Sequence, residues 1–266
     1  FGGATHDHQT IPAQLEKLRR RFGLAELVLV ADRGMVTRAN LDALREADGV
    51  DWITALKAPQ VKRLARTGAF QPSLLDELNL AEITAEEYPG ERLVVCRNPL
   101  VGAERARKRE ALLAATEAEL QPIAERVKRG TLHDAAAIGL AVGQVMKRYR
   151  VKKHFQLEIA DGRFEYRRKS EQIAEEAALD GIYVLRTSLA GERLDSPGVV
   201  RAYKQLKQVE RDFRALKGPE LEIRPIHHRL EHRVRAHVFL CMLALYIEWH
   251  LRDAWRELTF ADEQPP

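Results

Sequence analysis

Residues 27–34, LVLVADRG, constrain the fold more than any other stretch. A short continuous run of apolar and β-branched residues has the pattern of a strand covered on both faces. It runs into Asp32, Arg33 and Gly34. Thr37 then suits the N-cap of a helix reaching Leu44 and stopping near Gly49, and DWITAL at 51–56 reads as the next strand. Strand, helix, strand at this spacing predicts an α/β sheet with parallel neighbours. Such sheets place ligands at the carboxyl ends of their strands, which makes Asp32 a candidate for function. The plainer reading of Asp32 is a turn or cap former.

The rest of the chain divides by pattern. A first helix is expected to run to Phe22, capped by Thr10 or Asp7, with Leu15, Leu18 and Phe22 as its apolar stripe and Gly23 as its stop. After Pro59 the pattern changes. Residues 80–98 read as two strands about a Pro89-Gly90 turn. Helical patterns follow at 103–129, with Pro122 as a possible kink, and at 134–149. Asp161-Gly162 lies between alternating residues at 155–168 and predicts a hairpin. GIYVLRTSL at 181–189 reads as another strand. One long helix is expected from Val199 to Lys217, and a last helix from Glu231 to Leu258 that must pack against something large. These shifts give three expected parts: 1–58, a module inserted at 59–180, and 181–266.

Composition narrows the partners. The 266 residues are 45% hydrophobic, enough for a real core, and 31% charged with a net charge of +4. A modest basic excess suits a polyanion without requiring one. Cys96 and Cys241 lie far apart and flank no metal-type spacing, so a reducing cytoplasm is expected. The apolar run 238–247 is too short to span a bilayer, and no membrane partner is expected. The opening FGGATHDHQT reads as the end of a strand followed by a helix start, so the chain is expected to lack its N-terminal part.

The chemistry concentrates in YKQLKQVERDFRALKG, 203–218. Tyr203, Glu210 and Lys217 are seven residues apart in turn and share one helix face, beside an apolar stripe of Leu206, Val209, Phe213 and Leu216. A carboxylate for metal flanked by a phenol and an ammonium for backbone oxygens is a useful geometry for a phosphate diester. An ordinary amphipathic helix with solvated charges has the same spacing. His228 and His232 stand four apart, as zinc ligands do, but no further spacing completes a site. Basic clusters recur at 62–66, 105–109, 147–153, 163–169 and 224–235, which together predict an extended DNA track.

VLVADRGM, followed after a long gap by Y-x6-E-x6-K, resembles the DDE transposases of bacterial insertion sequences. The likeness is to the group with a Tyr-Arg-Glu-Lys signature and a domain inserted into an RNase H-like fold. DGIYVLRTSL before the signature helix and IRPIHHRLEHRVRAHVFLCMLAL after it also resemble this group. The resemblance implies an α/β RNase H-like core, its first strands missing, with an inserted α+β module. Asp32 and Glu210 match two of three metal-binding acids. Tyr203 and Lys217 match the phosphate-contacting positions. The signature's arginine position is Leu206, with Lys207 or Arg214 as possible substitutes. The first Asp is expected upstream of Phe1.

The resemblance further implies two Mg²⁺ (or Mn²⁺) ions about 3.5–4 Å apart in the intact enzyme. It also implies double-stranded DNA as partner, both element ends and target, and a homodimer in the DNA complex. The chain itself is expected to bind metal weakly and cut little. Two other classes stay open: a non-catalytic DNA-binding remnant, and a zinc hydrolase using His228 and His232.

Overall fold

The computed structural model describes residues 6, 10–35, 37–71, 75 and 77–259. The fold is α/β, built on a mixed five-stranded sheet in the order β1-β2-β7-β4-β3. Strand β1 (Leu27–Val30) and strand β2 (Val50–Ala55) are parallel, and helix α2 (Arg38–Glu46) makes the crossover between them. Thr37 caps α2 by accepting the Asn40 N–H at 3.3 Å. Ahead of β1, helix α1 (Ile11–Phe22) ends at Gly23 in the left-handed conformation, φ 64°. The possible cap Asp7 and the strand remnant at the chain start lie outside the described residues.

The sheet turns antiparallel beyond β2. Strand β7 (Ile182–Thr187) pairs antiparallel with both β2 and β4 (Arg92–Arg97), and β3 (Leu80–Ile83) pairs antiparallel with β4. Both β3 and β4 belong to the stretch expected as insertion, yet they continue the main sheet. Alternation along β4 explains the layering: Leu93 and Val95 pack with helix α3 (Ala58–Arg66), while Val94 and Cys96 pack with helix α7 (Ser196–Lys204) on the opposite face. Helices α1 and α2 cover Val50 and Trp52 of β2.

From Asn98 to Gly181 the chain leaves the sheet and returns to it. Asn98 donates its N–H to Gly181 O at 2.9 Å, so the excursion is closed at its base. Gly181 has φ +76°, and a Cβ there would lie 2.3 Å from Asn98 O, so only glycine fits. Helix α4 (Pro99–Lys128) starts at an Asn98 cap and runs through Pro122. Helix α5 (Ala135–Tyr149) follows, and then a hairpin of β5 (Phe155–Ala160) and β6 (Arg163–Arg168) that turns on Asp161-Gly162. Helix α6 (Ser170–Ala177) completes the excursion. It has its own core of Leu113, Leu120, Ile138, Val142, Phe155 and Phe164.

Two expectations about the last helices are corrected. The helix expected over 199–217 is two helices, α7 and α8 (Leu206–Lys217), separated at Gln205. Its stripe is not core either, since Val209 and Phe213 are exposed and only Leu216 of the four is buried. Helix α9 (Glu231–Ala254), followed by α10 (Arg256–Thr259), packs beside α8 but against nothing large. Cys241 is its one buried residue among those described, while Phe239, Leu240, Tyr246 and Trp249 are exposed. Counted over its whole length, α9 is long and apolar enough to cross a bilayer, which the run 238–247 by itself is not.

Candidate active site

The site begins at the carboxyl end of β1. Ala31 donates its N–H to Ile53 O of β2 at 3.0 Å, so the strand stays registered up to the residue before Asp32. The chain then turns: Met35 N–H donates to Asp32 O at 3.0 Å, with Arg33 and Gly34 at the corner. Asp32 Oδ1 accepts the Arg33 backbone N–H at 2.8 Å. The Asp32 carboxylate is therefore both exposed and fixed by its own turn.

Helix α7 brings in the second group. Asp195 caps it by accepting the Gly198 N–H at 2.8 Å, and Val199 and Val200 bury against the sheet. Val30, two residues before Asp32, packs against the same apolar cluster as Tyr203 near the end of α7. The Tyr203 phenol is half-buried, and its pKa is raised. Burial is the largest cause; the negative charge of Asp32 and then that of Glu210 add to it, while the positive charge of Arg33 acts the other way. One phenol thus lies within electrostatic reach of both carboxylates.

The other predicted residues lie along α8. Glu210 is exposed and pairs with Arg214 one turn on, at 3.6 Å. Lys217 is exposed, with its ammonium over the Phe213 ring at 5.9 Å. Lys207 is exposed, and Leu206 is half-buried. Carboxylate oxygens suit a hard divalent cation in kind. Among the described residues, however, no three His, Cys, Asp or Glu side chains are gathered in a way that could hold a metal. His228 and His232 likewise have no third such side chain gathered with them among the described residues. His228 instead stacks edge-on against His237, ring centroids 5.8 Å apart.

A second polar constellation supports this region, and sequence reasoning missed it. Glu91 is buried and accepts from both Arg45 and Arg186. The Arg186 guanidinium stacks over the rings of Trp52 and Tyr88, at 5.1 and 4.8 Å from their centroids. Arg92 donates to Leu189 O and Leu194 O in the loop before α7, and to Glu82 on β3. Each contact joins residues remote in sequence, so no local spacing announces it.

The mixed α/β sheet is consistent with an RNase H-like core. The family model described as the transposase DDE domain matches residues 2–247, and the chain belongs to that family. No curated protein and no solved structure matches the chain. Family membership brings DNA transposition as the general function, DNA as the partner, nuclease-type strand chemistry, and a general use of divalent metal ions.

Proposed function

We propose that Asp32 and Glu210 are metal-binding carboxylates of a DNA cleavage and strand-transfer site. In this reading Tyr203, Lys217, Lys207 and Arg214 hold the DNA backbone, and the inserted module expected within 59–180 is the excursion from Asn98 to Gly181. The observation that carries the reading is that Val30, two residues before Asp32, and Tyr203, seven residues before Glu210, pack against one apolar cluster, with both carboxylate charges acting on the Tyr203 phenol. Charge alone would drive two exposed carboxylates apart, so a shared neighbourhood suits a site that binds a cation.

Mg²⁺ or Mn²⁺ at such a site would supply positive charge at the scissile phosphate and activate the attacking hydroxyl. The residues fit that ion in kind but fall one carboxylate short of the three that a DDE site implies. The chain's own groups do the positioning. The β1 turn fixes Asp32, α7 packs Tyr203 against the apolar cluster that Val30 shares, and in this reading the α8 cations hold the backbone. Water cuts one strand at the element end, and the freed 3′-OH attacks the target. A homodimer on the DNA and a location with the bacterial chromosome in the cytoplasm belong to this reading.

Calorimetric titration with Mn²⁺ tests it. Weak binding is expected in the wild-type chain, with loss in Asp32→Asn and in Glu210→Gln. Binding unchanged in the double variant would refute the assignment. Little nicking of supercoiled DNA is expected, and strong nicking abolished in Asp32→Ala would overturn the expected low activity. The absence of a third gathered ligand among the described residues favours a second reading, a DNA-binding remnant without catalysis. Its mark would be DNA binding that is insensitive to Asp32→Ala and to metal.

A further inference from the structure

The resemblance leaves a gap in the grip on phosphate. Where the signature has an arginine, this chain has Leu206, half-buried and without charge. Of the two substitutes legible in the sequence, Arg214 is engaged with Glu210 at 3.6 Å. Lys207 is a flexible ammonium and offers a point charge rather than a planar fork.

A third cation stands at the site from a different element. Arg33 occupies the corner of the turn that begins at Asp32, and its backbone N–H is tied to the Asp32 carboxylate. That turn follows directly from Val30, which shares an apolar cluster with Tyr203. Its guanidinium has no carboxylate partner in the structure among the described residues. Arg45, Arg92, Arg186 and Arg193, by contrast, are each paired with an acid.

An exposed guanidinium on the residue after Asp32, without an acid partner among the described residues, is free to meet an anion arriving from solution. A phosphate diester matches it: two oxygens in one plane accept the forked N–H donors, and the phenol can donate to the same group.

We propose that Arg33 is a phosphate-binding residue, clamping a DNA backbone phosphate together with Tyr203 and standing in for the arginine absent at position 206. The proposal rests on the reading of Asp32 and Glu210 as the DNA cleavage site. It adds a cation from the β1 turn to those on the signature helix.

The test is binding of the whole chain to a duplex oligonucleotide in EDTA, by fluorescence anisotropy over a range of salt. A lost phosphate contact lowers the slope of log K against log salt by about one. Arg33→Gln is expected to show that loss and Arg33→Lys to keep the slope. Arg33→Gln with Tyr203→Phe should lose less affinity than the product of the two single losses, because both act on one phosphate. Thermal melts of the variants should match wild type, since Arg33 is exposed. A wild-type slope in Arg33→Gln, or fully independent effects of the two substitutions, would overturn the proposal. A wild-type chain that binds no duplex would overturn it as well. The underlying reading fails by a separate measurement, Mn²⁺ binding that ignores Asp32→Asn and Glu210→Gln.

Discussion

The carboxylate of Asp32 acts on the phenol of Tyr203 across most of the length of the chain. Val30 and Tyr203 share one apolar cluster, and Asp32 follows Val30 by two residues on a strand pinned to β2. Burial of Tyr203 makes the coupling count, because charge interactions weaken less with distance where water is excluded.

Tyr203 is expected to titrate lower once those charges are removed. Its pKa is raised by burial first, then by Asp32, then by Glu210. Asp32→Asn should lower it, and Glu210→Gln should lower it less. Ultraviolet difference titration against Tyr203→Phe isolates this phenol from the other tyrosines. No movement in either variant would mean that the three groups do not share a site in solution.

Arg92 ties the sheet to the loop that launches α7. Its guanidinium, mainly by hydrogen bonding, holds the Glu82 carboxyl down at about 2. A depressed carboxylate adds stability above its unfolded pKa of about 4.5 and loses it as pH falls toward 2. Glu82 is nearly half-exposed, so the gain is small. Arg92→Gln should flatten the acid limb of the stability curve, because the Glu82 pKa then rises toward its unfolded value. It also strips donors from Leu189 O and Leu194 O, for a total loss of about 1–3 kcal/mol. Urea melts from pH 2 to 7 read both effects.

Glu91 is buried between two guanidinium groups, and Arg186 is further held by Trp52 and Tyr88. Removing one partner of such a group leaves uncompensated buried charge. Glu91→Gln should cost about 3–5 kcal/mol in chemical denaturation. A cost under 1 kcal/mol would show that the cluster is hydrated.

The exposed apolar surface predicts association. Val28, on the edge strand β1, is 45% exposed, and Phe239 on α9 is 64% exposed. Open strand edges and broad apolar faces both promote self-contact. Phe239→Lys with Leu243→Lys should raise the soluble monomer fraction in analytical ultracentrifugation, and Val28→Lys should add to it. A wild-type chain that sediments as monomer at high concentration would contradict this.

Much of the local structure was legible. The Thr37 cap, the Gly23 stop, the Asp161-Gly162 hairpin and the strand at 27–30 each depend on residues within a few positions of one another. The break at Gln205 was not, because the residues on either side keep helical spacing and Gln205 itself remains in the right-handed helical region. Nor was the bareness of α9. An apolar helix announces that it wants a partner, and says nothing of whether this chain supplies one.

The sequence by itself determined most of the helices and strands, the acid at the end of β1, and the tyrosine–glutamate–lysine spacing. Periodicity, caps and turns are local physics, readable without the fold. Only the tertiary structure decided that β3 and β4 join the main sheet, that Glu91 lies between Arg45 and Arg186, and that Arg33 stands with Asp32 near Tyr203. Those facts depend on which distant surfaces pack together, and packing follows from the summed burial of the whole chain rather than from any one stretch of it.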